Sequence, residues 1–431
     1  MLRIVTSRFE AEQELRRIAS RTQTDQVFQK ENDVREILLN VRRLKDEALL
    51  RYTLQFDGVN LTPNELRVSD REIEEAYDRV SRDLLAALRL AKKRIEHFHR
   101  QRVPKSWTIF EEEDVVLGQR YTPVDAAGLY IPGGQASYPS TVLMNVVPAQ
   151  IARVPRIIIC TPPGPDGQVN PSVLVAAHVA GVQEIYRVGG AQAIGAMAYG
   201  TETITKVDLI TGPGNVYVTL AKRLVYGEVG IDSLAGPSEV LIIADHRANP
   251  QWIAADLLAQ AEHDPLAAAI LITPNQELAD LTNEALSRQL RTHSRRLLTE
   301  KSIANYGLVV VTEDLAEAAE LTNLFAPEHL ELQVEDPWDL LKLVRHAGAI
   351  FLGYYSPEAV GDYLAGPNHT LPTSGAARFS SALGVQTFLK SSSLIQFSPQ
   401  ALRQVGAALD ILTQTEGLPS HGDSVQFRLD P

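Results

Sequence analysis

The feature that most constrains the fold is a regular alternation of short apolar runs with longer stretches of helical periodicity. Apolar runs recur at 127–131, 156–160, 184–188, 207–210 and 240–244, and helical stretches fall at 140–152, 171–180, 191–199 and 216–225. This alternation predicts a parallel sheet with helices on its faces. A second set follows a helix at 250–262, with strands at 268–273, 308–312, 330–334 and 349–352 and helices at 275–293, 315–324 and 337–346. Asn170-Pro171 and Asn249-Pro250 read as an N-cap followed by a first-turn proline. The expected fold is α/β: two Rossmann-like parallel-sheet modules, with an N-terminal helical arm and a C-terminal tail. The common rhythm is compatible with duplication of one α/β unit, although no residue-level repeat accompanies it.

The flanks are less regular. Residues 33–56 predict one helix with Asp33 and Glu36 as a capping box, and 69–102 predict another with Ser69 and Glu72. Trp107 to Thr122 alternates like a hairpin. From Tyr354 to about Ser393 the chain is rich in Gly, Pro and Ser; a helix at 399–413 and a polar tail from Glu416 complete it. The expected divisions are 1–105 (helical arm), 106–247 (first module), 248–355 (second module) and 356–431 (loops, helix and tail).

Composition narrows the function. With 431 residues, 45% hydrophobic and 22% charged, the chain is long enough to bury a large core. Its net charge of −12, without a basic stripe, argues against nucleic-acid binding. No apolar stretch reaches ~18 residues, so no membrane span is expected. The mixed-charge N-terminus lacks the apolar core of a signal peptide, and the chain reads as cytoplasmic. Cys160, the single cysteine, lies in an apolar run and reads as a buried structural thiol; thiolate zinc sites are excluded.

Four stretches hold groups suited to chemistry. Ala326-Pro327-Glu328-His329-Leu330 places a carboxylate beside an imidazole where a helix gives way to a strand. Strand neighbours point to opposite faces, so both serve one site only if the chain is still turning there. Taken alone, the pair also reads as a surface Glu-His at a loop end. Gln260 and His263 are three residues apart at a helix C-terminus, as metal ligands or as a C-cap histidine. The stretch Gly361 to Thr373, with Asp362 and His369, looks too rich in Gly and Pro for a regular element. The tail holds Glu416 and His421 and has the look of a frayed terminus. Glycines end several apolar runs, but Gly212-x-Gly214 has Tyr217 where a dinucleotide fingerprint needs a third glycine. Residue chemistry alone gives an α/β enzyme with N/O ligands that suit Zn²⁺ or a similar ion.

These motifs, together with Tyr130-Ile131-Pro132-Gly133-Gly134, Gly212-Pro213-Gly214-Asn215 and Ala235-Gly236-Pro237-Ser238-Glu239, resemble those of the histidinol dehydrogenase family, in the same order along essentially the whole chain. The resemblance implies NAD-dependent, zinc-requiring oxidation of L-histidinol to L-histidine through the aldehyde, the final step of histidine biosynthesis. It implies Glu328 and His329 as the catalytic acid–base pair. Tyr130, Gln192 and Asn215 would contact NAD. The metal ligands would be Gln260, His263, Asp362 and His421. The substrate would meet those four together with Ser238, His329 and Glu416. It also implies a homodimer in which the tail of one subunit completes the site of the other. Two alternatives are a dehydrogenase of the same family acting on another alcohol, such as a sulfonated diol, and a zinc hydrolase. Glu416 disfavours the diol, because a carboxylate there suits a positively charged amino alcohol.

Overall fold

The computed structural model of the protein describes residues 2–22, 25–133 and 137–429. Gly134, named above in a glycine pair, lies outside them. Two parallel sheets organise the chain. The first contains, in spatial order, Ile185–Arg187, Arg156–Thr161, Ala126–Tyr130, Leu209–Thr211 and Gly230–Ile231. The second runs Arg3–Val5, Gly307–Val311, Ala268–Thr273, Glu239–Ala244, His329–Gln333 and Ala349–Leu352. Numbered within each module, both sheets have the order 3-2-1-4-5, with the N-terminal strand added beside the third strand of the second. Strand order thus repeats even though residue identity does not, which is the pattern expected of a doubled α/β unit.

The strands are buried on both faces, as helix-covered parallel sheets require. Glu239–Ala244 and Ala268–Thr273 pair in register from Ala268–Glu239 to Ile272–Ile243. Helices such as Pro139–Ile151 and Pro171–Ala180 are apolar nearly all round, because each is covered by sheet on one side and by other helices elsewhere. The proline N-termini form as expected: Asn170 accepts from Ser172 N–H and Asn249 from Gln251 N–H, both at 2.9 Å.

The N-terminal region differs from the helical expectation. Arg3–Val5 is an edge strand paired with Leu308–Val310, and the helix Arg8–Ala19 packs on Leu315–Phe325. The expected helix at 33–56 is two helices, Asp25–Leu44 and Asp46–Asp57, broken at Lys45 with φ of +54°. Asp33 lies inside the first of these and caps nothing. The expected helix at 69–102 is also split, into Asp70–Asp78 and Arg82–Arg100, with Ser69 and Ser81 as caps. The Ser69–Glu72 box is present. The hairpin is real, but Leu389–Gln396 joins it as a third antiparallel strand.

The tail is not frayed. Pro399–Thr415 turns at Gly417 into a second helix, Pro419–Leu429, packed against the first. Gly422 is buried at their crossing, where a Cβ would meet Asp410 and Thr413 side-chain oxygens at 2.9 Å. The missing side chain lets the helices approach, and it is this contact that orders a polar segment.

Candidate active site

The acid–base pair sits at the amino-terminal edge of the second sheet. The helix Leu315–Phe325 stops at Ala326, whose φ of +57° reverses the chain, and Pro327 prevents continuation. Glu328 therefore lies just before the strand His329–Gln333, in a chain that is still turning. Both side chains reach the adjacent strand start. The Glu239 N–H donates to Glu328 Oε2 at 2.9 Å, and the Glu239 carbonyl lies 3.0 Å from His329 Nδ1. A carbonyl can only accept, so Nδ1 carries the proton and Nε2 is the free basic nitrogen of the neutral ring. Nε2 is buried without a hydrogen bond among the described residues and lies 3.5 Å from Asp362 Oδ1.

The electrostatics suit proton transfer. Burial, partly offset by His329, pushes the Glu328 carboxyl up to about 7, so it titrates near neutrality. Burial alone would lower the His329 imidazole, but the carboxylates of Glu358, Glu328 and Asp362 outweigh it and hold the ring well above its usual value.

Gln260, His263 and Asp362 converge beside this pair. Gln260 projects from the last turn of Pro250–Ala261, His263 follows that helix, and Asp362 lies on the short helix Glu358–Tyr363. Ligand atoms of His263, Glu358 and Asp362 all lie within 4.8 Å of one another. The Gln260 amide is satisfied with its nitrogen on Glu358 Oε2 at 2.8 Å and its oxygen on the Glu239 N–H at 3.1 Å. The helix through Asp362 corrects the expectation that Gly361 to Thr373 holds no regular element. Gly361 permits it, since a Cβ there would meet the Phe351 ring at 2.6 Å. Ser238 is half-buried immediately before the strand Glu239–Ala244.

Glu358 is the residue that sequence reasoning missed. It is almost fully buried, and its place four residues before Asp362 puts both carboxylates on one helical face. That spacing was the available signal, hidden by the surrounding glycines and prolines. The Glu358 N–H donates to Glu331 Oε1 at 2.8 Å, and Gln333 Nε2 binds both Glu331 Oε2 at 2.7 Å and Asp256 Oδ2 at 2.9 Å.

Burial and its neighbour Asp256 push Glu331 up to about 8. A carboxyl raised in the folded state binds its proton more tightly there than in the unfolded chain. Its stabilising contribution is therefore complete below the unfolded value of about 4.3 and is lost as pH rises through about 8. The melting temperature should fall between pH 6 and 9, and Glu331→Gln should flatten that slope and melt higher than the parent at pH 9. Parallel slopes in a calorimetric pH series would show that Glu331 is not the group responsible.

The three residues expected to contact NAD lie at the carboxyl edge of the first sheet. Tyr130 ends its strand next to Leu209–Thr211, at the point where strand order reverses, which is where open α/β sheets bind nucleotides. Gly212 (φ +114°) passes so close that a Cβ would lie 2.1 Å from the Tyr130 carbonyl oxygen. The buried Lys222 Nζ donates to the Gly212 carbonyl at 2.9 Å and pairs with Asp232, which accepts from the Gly212 N–H at 2.8 Å. Asn215 caps the next helix by accepting from Tyr217 and Val218 N–H. Tyr130 accepts from the Gly190 N–H at 3.0 Å, and burial pushes its hydroxyl up to about 12. Gln192 is buried with its Oε1 lacking a hydrogen bond among the described residues.

The two edges are tied together. Asn368 Nδ2 donates to the Met144 carbonyl at 2.6 Å, and His369 bridges Thr141 Oγ1 at 3.2 Å and the Asp362 carbonyl at 3.0 Å. Cys160 is buried beside Tyr130 in the neighbouring strand, with burial raising its thiol. Glu416 and His421 are exposed on the C-terminal helical hairpin, and among the described residues the ligand cluster of His263, Glu358 and Asp362 does not include them.

This arrangement defines a class: an α/β enzyme with a nucleotide-type crevice in one module and an acid–imidazole cluster, able to hold a cation, in the other. A profile described as histidinol dehydrogenase matches residues 19–429. The histidinol dehydrogenase of Gloeobacter violaceus is 68% identical over 429 residues, covering 100% of this chain and 96% of its own. That of Thermosynechococcus vestitus is 65% identical over 431 residues, with both chains covered fully. A crystal structure of histidinol dehydrogenase from Elizabethkingia anophelis superposes with a TM-score of 0.89 at 39% identity, covering 93% of this chain and 92% of that one. The chain belongs to the histidinol dehydrogenase family, NAD-dependent oxidoreductases that catalyse the final step of histidine biosynthesis. No helix among the described residues is long and apolar enough to cross a membrane.

Proposed function

We propose that this protein oxidises L-histidinol to L-histidine by way of L-histidinal, using two NAD⁺ and one Zn²⁺ in the cytoplasm. The observation that carries the reading is the convergence of His263 and Asp362, with Gln260 bonded to the Glu358 of the same cluster, on the buried Glu328–His329 pair. The donor set fits a divalent ion: one amide, one imidazole and one carboxylate, with no thiolate. If the Gln260 amide is turned over, its oxygen faces the Glu358 carboxylate, and a cation nearby relieves that opposition. The unpartnered Gln192 oxygen and the close-packed Tyr130–Gly212 turn support NAD⁺ binding at the first sheet.

Zn²⁺ would supply a Lewis acid that orients the amino alcohol, and NAD⁺ would supply the hydride acceptor. The protein's own residues handle the protons. His329 Nε2 takes the hydroxyl proton as hydride leaves the carbinol carbon. Asp362, engaged as a ligand, would no longer favour the imidazolium, which would leave His329 available as a base. Glu328 then takes a proton from water as that water attacks the aldehyde carbon. His329 returns its first proton to the aldehyde oxygen as the water adds, and then accepts a hydroxyl proton of the hydrate while the second hydride departs. Ser238 and Glu416 complete the substrate contacts, Glu416 facing the cationic end.

His421 and Glu416 would come from a partner subunit. The three-stranded sheet and the helical hairpin support this, for they expose Phe110, Ile395, Ile411 and Phe427, a large apolar surface for a single chain. An isologous dimer would cover it and bring each tail to the other's site. The test is a panel of alcohols incubated with purified protein and NAD⁺. NADH should form with L-histidinol and not with a sulfonated diol; the reverse preference would refute the substrate assignment.

A further inference from the structure

We propose that Arg21 and Glu239 form a positioning pair for the acid–base couple, through which the N-terminal segment fixes the backbone that orients Glu328 and His329. The inference rests on the reading of those two residues as the proton-transfer groups. Glu239 is fully buried, and its two peptide groups are the ones already described: N–H on Glu328, carbonyl on His329. Its side chain is held separately. Arg21 Nη1 meets Glu239 Oε1 at 2.9 Å, with both side chains withdrawn from solvent.

Arg21 does more than neutralise a carboxylate. Nε donates to the Leu266 carbonyl at 2.6 Å, Nη1 also to Ile18 at 2.8 Å, and Nη2 to Pro237 at 3.0 Å with Ser238 at 3.5 Å. The five N–H groups of a guanidinium thus meet five acceptors, on the end of the first helix, the start of Ala268–Thr273 and the approach to Glu239. Glu239 Oε1 also accepts from the Ser374 N–H at 3.2 Å, and Ser374 sits at φ +53° a few residues beyond His369, in the segment that follows the Asp362 helix. One buried carboxylate therefore joins three segments, and its own backbone sets the hydrogen bonds of the acid–base couple. An ammonium, with three donors on a single atom, cannot reproduce the fork.

The test uses full-length, zinc-loaded protein. Arg21→Lys keeps the charge and loses the fork. The double variant Arg21→Met/Glu239→Gln removes both charges and so leaves neither one buried alone. In both, kcat should fall about tenfold to a hundredfold while KM for L-histidinol and for NAD⁺ stays within about threefold, as expected when reacting groups are displaced by a fraction of an ångström. In metal-free protein the His329 Nδ1–H resonance, identified by its loss in His329→Asn, should shift in both variants. A kcat within about twofold of the parent in either folded variant, or a rise in KM alone, would overturn the positioning role. If instead His329→Asn keeps full turnover, the acid–base assignment beneath it fails, which is a different result.

Discussion

Glu328→Gln should cost the aldehyde half-reaction about 10²- to 10³-fold while slowing the alcohol half-reaction by about tenfold or less. The asymmetry follows from the positions of the two groups. On the proposed assignment, His329 takes a hydroxyl proton through Nε2 in both oxidations. On the same assignment, Glu328 acts only where water must be activated. The amide keeps the bond from the Glu239 N–H, so the loss is one of basicity and not of geometry. The wild-type aldehyde rate should also fall as pH drops below about 7, because burial holds the Glu328 carboxyl there and only its ionised form accepts a proton. That acidic limb should vanish in Glu328→Gln. His329→Asn should depress both steps, by about 10³-fold. Separate assays on L-histidinol and L-histidinal check this, and equal loss of both steps in Glu328→Gln would remove the division of labour.

The second large effect concerns the tail. His421→Asn should lose most activity and most bound zinc, although within one chain His421 is exposed and belongs to no ligand cluster among the described residues. The same losses should follow Asp362→Asn. The two inactive variants, coexpressed, should regain about a quarter of the parent activity. Random pairing makes about half the dimers mixed, and each mixed dimer has one site with neither change and one with both. A site built wholly within one chain gives no such recovery, because every site then carries one lesion. Absence of recovery from demonstrably mixed dimers would place His421 outside the site.

Much of this was legible in the sequence because parallel strands are written as apolar runs. All five strands at 240–352 appear close to where the periodicity places them, but the helix Arg296–Tyr306 was not expected and the one expected at 337–346 ends at Leu341. What escaped was short, or was held by tertiary contact. Arg3–Val5 has only three residues and is a strand because Leu308–Val310 offers an edge. The helix at Pro419–Leu429 depends on Gly422 packing against the preceding helix, a contact without local signature. The break at Lys45 interrupts a pattern whose apolar face continues through both helices. At the site, Glu328 and His329 stood out because Pro327 marked the turn. Glu358 did not, because glycines and prolines concealed the i,i+4 relation to Asp362. The second module also departs from the rule that α/β sheets act at their carboxyl ends: its cluster lies at the amino ends of two strands, facing the first module's carboxyl edge.

The most direct test of the central claim is the yield of NADH per molecule of L-histidinol consumed, with and without a chelator. The account predicts two NADH per substrate, no turnover after chelation, and recovery on adding Zn²⁺. One NADH per substrate with free aldehyde released, or an unchanged yield after complete metal removal, would contradict it.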